Sequence, residues 1–386
     1  MVILSILVYT LTGLSLFGLG WHASERDAKS RLQGGHGTPF LSWELLLSVL
    51  LFAVVAGARY NTGFDYAMYL REYGYMQSTG HFNRCDFEPG FELISKGFAA
   101  LNLHYFFYFA FWGALQIGFV YLGLNDRKFL LPWVGLNIML GTSFISWMNL
   151  MRQYVVVCAF VPMALLIRQR KWLAYFACVA LLCTIHKSAL FLVPLFAFGY
   201  FTIKVNDGKV PLLILLLCVI VGLNPVWLSL FHNLGDALAL IGYGKYAGLV
   251  ENMACGGAQI MSWGPNRISV LLMEMALVWY YSRVREHFSS DAMLPLYFSL
   301  AFVGICLENL LINTNGVVLR TVQFMLVFVV LLNAYTLEYF RQTKRWWHFA
   351  VFALIIFNYV YVVIFKAVYM PSKVIVPSLY NLFFLN

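Results

Sequence analysis

The sequence predicts an all-α, polytopic integral membrane protein of about twelve transmembrane helices, and three observations carry that expectation. Of the 386 residues, 61% are hydrophobic and only 11% charged. Uninterrupted apolar segments of about 15 to 22 residues recur along the chain, the length that crosses hydrocarbon. These runs are continuous rather than alternating, so the backbone must satisfy its own hydrogen bonds within each segment, which points to helices and excludes a β-barrel.

The first run, 2–20, has neither a basic n-region nor a small-residue cleavage pattern and reads as a retained helix rather than a signal peptide. The following spans are 41–57, 105–124, 129–148, 153–167, 172–185, 189–203, 210–231, 267–281, 292–312, 321–337 and 347–366. One set of connections is short and basic, with Arg26, Lys29 and Arg31, then Arg127 and Lys128, then Arg168, Arg170 and Lys171. Lys204 and Lys209, Arg283 and Arg285, and Arg341, Lys344 and Arg345 continue it, and the positive-inside rule makes this set cytoplasmic. The net charge of +9 is explained by this topology, with no basic stripe of the kind nucleic acid requires. The opposite set, with both termini, is then external. On this reading 1–386 is a single membrane domain, 58–104 its first external region and 232–266 a long external loop. Within 58–104, Phe91, Leu93, Ile94, Phe98 and Leu101 have helical spacing, Glu92 and Lys96 lie four apart, and Pro89 suits a first turn.

The external side gathers Arg59, Asp65, Glu88, Glu92, Arg152, His186, Lys187, Arg267 and Arg320. One arginine at a helix end ordinarily snorkels to headgroups. Arg59, Arg152, Arg267 and Arg320, from four helix ends, together suit an anion, because the planar fork binds phosphate bidentately and stays charged. Asn149 and Gln153 flank Arg152 with groups that hydrogen-bond phosphate or sugar, and Tyr66 is placed to line a sugar site. His186 can take a proton from a hydroxyl near neutral pH, with Lys187 steadying negative charge. Asp86 and Glu88 offer too few oxygens for a divalent cation, so no metal is expected. No HExxH, GxSxG, Walker A or GxGxxG pattern supports a hydrolase, an ATPase or a dinucleotide enzyme. Cys85 and Cys255 both fall in external loops, where an oxidising compartment permits a disulfide.

The segments "GARYNTGFDYAMYL", "FEPGFELI", "MNLMRQYVV", "IHKSALFLVPLF", "GPNRIS" and "LRTVQFML" follow in an order and in membrane positions that resemble the EpsG family of polysaccharide polymerases. That family is similar in role to Wzy, the O-antigen repeat-unit polymerase. The joint order, over roughly residues 40 to 340, carries the resemblance rather than any one short motif.

It implies a GT-C-like glycosyltransferase architecture in the bacterial inner membrane, with the active site facing the periplasm and both termini on that side. The donor and acceptor would be undecaprenyl-diphosphate-linked oligosaccharides, with no cofactor and with a chain-length regulator as a further partner. In the implied site Arg152, Arg267 and Arg320 hold the diphosphate, assisted by Arg59 and Lys187. His186 or Asp65 is the base, and Glu88, Glu92, Asn149, Gln153 and Tyr66 orient the sugar. The tail departs from the pattern, since Ser378 follows Pro377 where an aromatic is expected. An O-antigen ligase or another lipid-linked glycan transferase would use the same groups. A lipid-linked oligosaccharide transporter fits less well, because no internal repeat occurs.

Overall fold

The computed structural model describes residues 2–35, 37–63, 65–203, 205, 207–224, 263–314, 316–365 and 380–382. Most of the expected loop at 232–266 lies outside them, as do Cys255, Pro377 and Ser378. The described regular structure is helical, apart from an isolated antiparallel bridge between Arg59 and Leu382. The chain divides into two compact units, Met1–Thr202 with Val330–Asn386, and Ile203–Val329.

The first unit opens with α1 (Val2–Leu32), α2 (Trp43–Ala58), α3 (Tyr66–Thr79), α4 (Pro89–Ala100) and α5 (Tyr105–Gly123). It continues with α6 (Leu131–Leu140), α7 (Ser143–Asn149), α8 (Met151–Arg168) and α9 (Trp172–Cys183), then a 3₁₀ segment, Lys187–Gly199. α1 runs twelve residues beyond the expected span end at 20, because "WHASERDAKSRL" contains no Pro or Gly to stop a helix that leaves the apolar layer. Its extension is pinned by Asp27, which accepts from Arg31 Nε (2.7 Å), Thr38 N (2.8 Å) and the buried Lys128 Nζ (3.3 Å). Lys128 Nζ also donates to the Thr38 carbonyl.

The core formed by α3, α4 and α5 is aromatic. Tyr66, Tyr69 and Tyr73 of α3, Phe91 of α4, and Tyr108, Phe109 and Trp112 of α5 are all buried in one cluster. Tyr73 stacks on Tyr108 at 4.3 Å and Tyr66 on Phe109 at 5.0 Å, contacts that add about 0.5–1.5 kcal/mol each beyond the area they bury. This packing fixes α3 and α4 against α5.

The second unit contains α10 (Lys209–Leu223), α11 (Pro265–His287), α12 (Leu294–Leu310) and the first part of α13 (Gly316–Gln342). Tyr281 of α11 stacks on Phe298 of α12 at 3.5 Å, and Asn313 Nδ2 donates to the Gly222 carbonyl at 2.8 Å, tying α10 to the end of α12. The chain re-enters the first unit at Val330, within α13, and continues into α14 (Trp347–Val360), where Tyr359 Oη donates to the Ile6 carbonyl at 3.2 Å.

Among the described residues four helices are long and apolar enough to cross a membrane: Val2–Leu32, Tyr105–Gly123, Met151–Arg168 and Val318–Gln342. A fifth span results if Asn125–Leu140 and Ser143–Asn149, bent by 66°, are taken together. Six further apolar helices have 10–17 residues, so the described residues hold four to five full-length candidate spans of the twelve expected. The break in the expected span 129–148 falls at Thr142, whose φ of +68° takes the chain out of the helical region.

Candidate active site

Glu88 is the hub of a polar cluster built by three elements. It is the residue that precedes α4, in extended conformation. One carboxylate oxygen pairs with Nη1 of Arg152 in the first turn of α8. The other accepts from the backbone N–H of Lys187 at 3.0 Å and lies 3.5 Å from Nδ1 of His186. Glu88 and Arg152 are nearly buried, with side chains 10% and 12% exposed, whereas His186 keeps 23%. The Arg152 guanidinium sits 4.5 Å from the Phe87 ring and 5.0 Å from Phe91, and Nε donates to Tyr69 Oη at 3.4 Å. Planar stacking of this kind suits arginine and not lysine.

The local sequence explains why these elements meet. The free N–H groups at the start of α4 find an acceptor in the Thr184 carbonyl, to which Gly90 N (2.8 Å) and Phe91 N (3.1 Å) both donate. Gly90 is required for that approach, since a Cβ there would lie 2.2 Å from Thr184 Oγ1. Two residues later His186 caps the 3₁₀ segment, its Nδ1 accepting from Ser188 N at 3.3 Å. If Nδ1 accepts that bond the proton of a neutral ring sits on Nε2. If Nδ1 instead donates to Glu88, Nε2 carries the lone pair that a general base needs.

Beside this cluster, the loop after α2 is held by Asn149, whose Oδ1 accepts from Asp65 N at 3.1 Å. Gly63 has φ +98°, a left-handed conformation that suits glycine, and lies against Asn149. Arg59, at the end of α2, is 1% exposed, with its guanidinium 4.8 Å from the Phe109 ring and 5.5 Å from Tyr66. Its Nε and Nη1 have no hydrogen-bond partner among the described residues. Burial lowers its pKa to about 10, so it remains charged at neutral pH.

The remaining sequence candidates are placed elsewhere. Tyr66 is a core ring, 1% exposed. Gln153 is buried in α8. Glu92 faces outward and pairs with Lys96 at 2.9 Å. Asp86 is held bidentately by Arg84, at 2.9 and 2.8 Å, and so engages a different arginine from Glu88. Among the described residues no group of three or more His, Cys, Asp or Glu is arranged to hold a metal.

Arg267 and Arg320 belong to the second unit. Arg320 is exposed on α13. Arg267 is buried at the start of α11, where Nη2 donates to Asn309 Oδ1 at 2.6 Å and Nη1 lies 3.6 Å from Glu274 and 4.0 Å from Glu308. Asn309 Nδ2 donates in turn to Glu274 at 2.9 Å. Sequence reasoning missed Glu274, Glu308 and Asn309. The available signal was a lone carboxylate in each of the apolar runs "ISVLLMEMALVW" and "GICLENLL", positions that in a membrane helix mark a polar site by default.

Fold and cluster together define an all-helical membrane protein with an arginine, a carboxylate and a histidine joined at helix ends. A family model, that of the EpsG family, matches residues 43–378, and the chain belongs to that family, which is related to the Wzy-like polymerases. No curated protein and no solved structure matches the chain.

Proposed function

We propose that this protein polymerises undecaprenyl-diphosphate-linked oligosaccharide repeat units, forming a glycosidic bond on the periplasmic face of the inner membrane. The observation that carries the reading is the junction of Arg152, Glu88, His186 and Lys187 in a member of a polymerase-related family. The acceptor hydroxyl at the non-reducing end of one unit attacks the anomeric carbon of the lipid-linked chain. Its proton passes to His186, or to Asp65 in the alternative assignment, as the new C–O bond forms. The bond from the anomeric carbon to the phosphate oxygen breaks, and undecaprenyl diphosphate leaves with the electron pair.

Arg152 and the Lys187 ammonium neutralise that leaving group. In the resting site Arg152 pairs with Glu88 through Nη1, so the diphosphate shares the guanidinium with that carboxylate or replaces it there. The Glu88 oxygen that does not pair with Arg152 faces His186 Nδ1, and by accepting from it leaves Nε2 as the basic nitrogen of the ring. The roles of Arg59, Arg267 and Arg320 toward phosphate, and of Glu92, Asn149, Gln153 and Tyr66 toward sugar, rest on sequence position.

The test is product identity. Membranes containing the protein are supplied with the lipid-linked repeat unit extracted from the same host, and products are separated by length. A ladder of lipid-linked multimers is expected. Transfer to lipid A core without chain growth would identify a ligase and overturn the polymerase reading, and movement across the bilayer without any new bond would identify a transporter.

A further inference from the structure

A cavity opens in the second unit, at the C-terminal end of α11. Ser282, Arg283, Arg285, Glu286, Ser289 and Val205 line an open cavity of about 450 Å³, within the roughly 300–1,000 Å³ range of small-ligand sites. The exposed face of α11 leads straight to it. Ile268 and Leu272 are each 47% exposed and Trp279 39% exposed, and the spacings of four, seven, four and three residues that connect them to Arg283 and Glu286 keep all five on one side of the helix. From Ile268 to Trp279 this stripe is apolar for about 16 Å, and one turn beyond the indole it becomes charged. An apolar stripe, an aromatic and then arginine is the order in which a helix meets acyl chains, the interfacial belt and headgroups.

The cavity chemistry selects among headgroups. Two guanidinium groups and two hydroxyls suit a phosphate diester. Glu286 on the same wall opposes a purely anionic ligand and suits a cationic partner that carries N–H donors. We infer that this cavity binds the phosphoethanolamine headgroup of a membrane phospholipid, whose acyl chains lie along the Ile268–Trp279 face. The phosphate sits between Arg283 and Arg285, and the ammonium donates to Glu286. A choline headgroup has no N–H to give that carboxylate, and a glycerol headgroup has no charge for it.

Native mass spectrometry of the full chain, released from nanodiscs holding equal parts of phosphatidylethanolamine, phosphatidylcholine and phosphatidylglycerol, tests the inference. Wild type is expected to retain one phosphatidylethanolamine in preference to either competitor. Arg283→Gln with Arg285→Gln should lower that retention about tenfold or more, the worth of lost charge-assisted hydrogen bonds. Glu286→Gln should keep a bound phospholipid and lose the preference for ethanolamine over choline. These side chains sit at or near the surface, so folding is checked by an unchanged elution volume. Equal retention of all three lipids by wild type, or undiminished retention by the double variant, overturns the inference. So does full displacement by soluble phosphoethanolamine, which would make the cavity a site for a free phosphate compound.

Discussion

Replacing Glu88 with Ala removes the acceptor shared by Arg152 and the Lys187 backbone N–H. Arg152 would then be a guanidinium 12% exposed, held against Phe87 and Phe91 with Tyr69 Oη as its remaining polar contact among the described residues. Removing one partner of a buried ion pair costs about 3–5 kcal/mol, chiefly because the other charge stays buried. The orphaned Lys187 N–H adds about 1 kcal/mol or more. The aromatic contacts of Arg152 are retained, so the lower half of that range is expected. The assay is reversible unfolding in mixed micelles, run as a double-mutant cycle with Arg152→Met. Glu88→Ala should destabilise by about 4 kcal/mol in the wild-type background, the pair and the Lys187 N–H together, and by about 1 kcal/mol when Arg152 is already Met. Equal losses in both backgrounds would refute the reasoning, because the two side chains would then be energetically independent.

Three further outcomes follow from the same geometry. Gly90→Ala forces a Cβ into Thr184 Oγ1 and should cost about 1–3 kcal/mol in the same unfolding assay, with loss of polymer formation because α4 shifts away from His186. Asp27→Ala strands Lys128, whose side chain is 1% exposed, and should lower stability by about 3–5 kcal/mol while leaving the turnover of correctly folded protein unchanged. His186→Gln keeps a hydrogen-bonding side chain at the cap but cannot take a proton, so polymer should be lost at unchanged protein level. Full polymer length from that variant would move the base to Asp65.

The membrane class is legible because a run of apolar residues reports the environment of a whole helix, and α8 (Met151–Arg168) falls within two residues of the span expected at 153–167. Hydropathy carries no backbone angle, so the bend at Thr142 and the 3₁₀ form of Lys187–Gly199, with Pro194 inside it, are invisible to it. It also ends the first span at residue 20, ahead of the charged stretch, although the helix continues through that stretch to Leu32. At the site Arg152, Glu88 and His186 are each conspicuous as polar groups at helix ends. Their pairing is not, since they lie 64 and 34 residues apart and are joined through the Thr184 carbonyl and the start of α4. Tyr66 stands out in the sequence by its hydroxyl, whereas its stacking on Phe109, 43 residues away, is set by packing that no local pattern carries.

The most direct measurement follows product length from the lipid-linked repeat unit in membranes that carry equal amounts of folded wild type or Arg152→Ala. A ladder from wild type that disappears in the variant is the predicted result, with Arg152 as the ligand of the leaving diphosphate. An unchanged ladder from the variant would contradict that role, leaving the pair with Glu88 as a structural tie between α4 and α8.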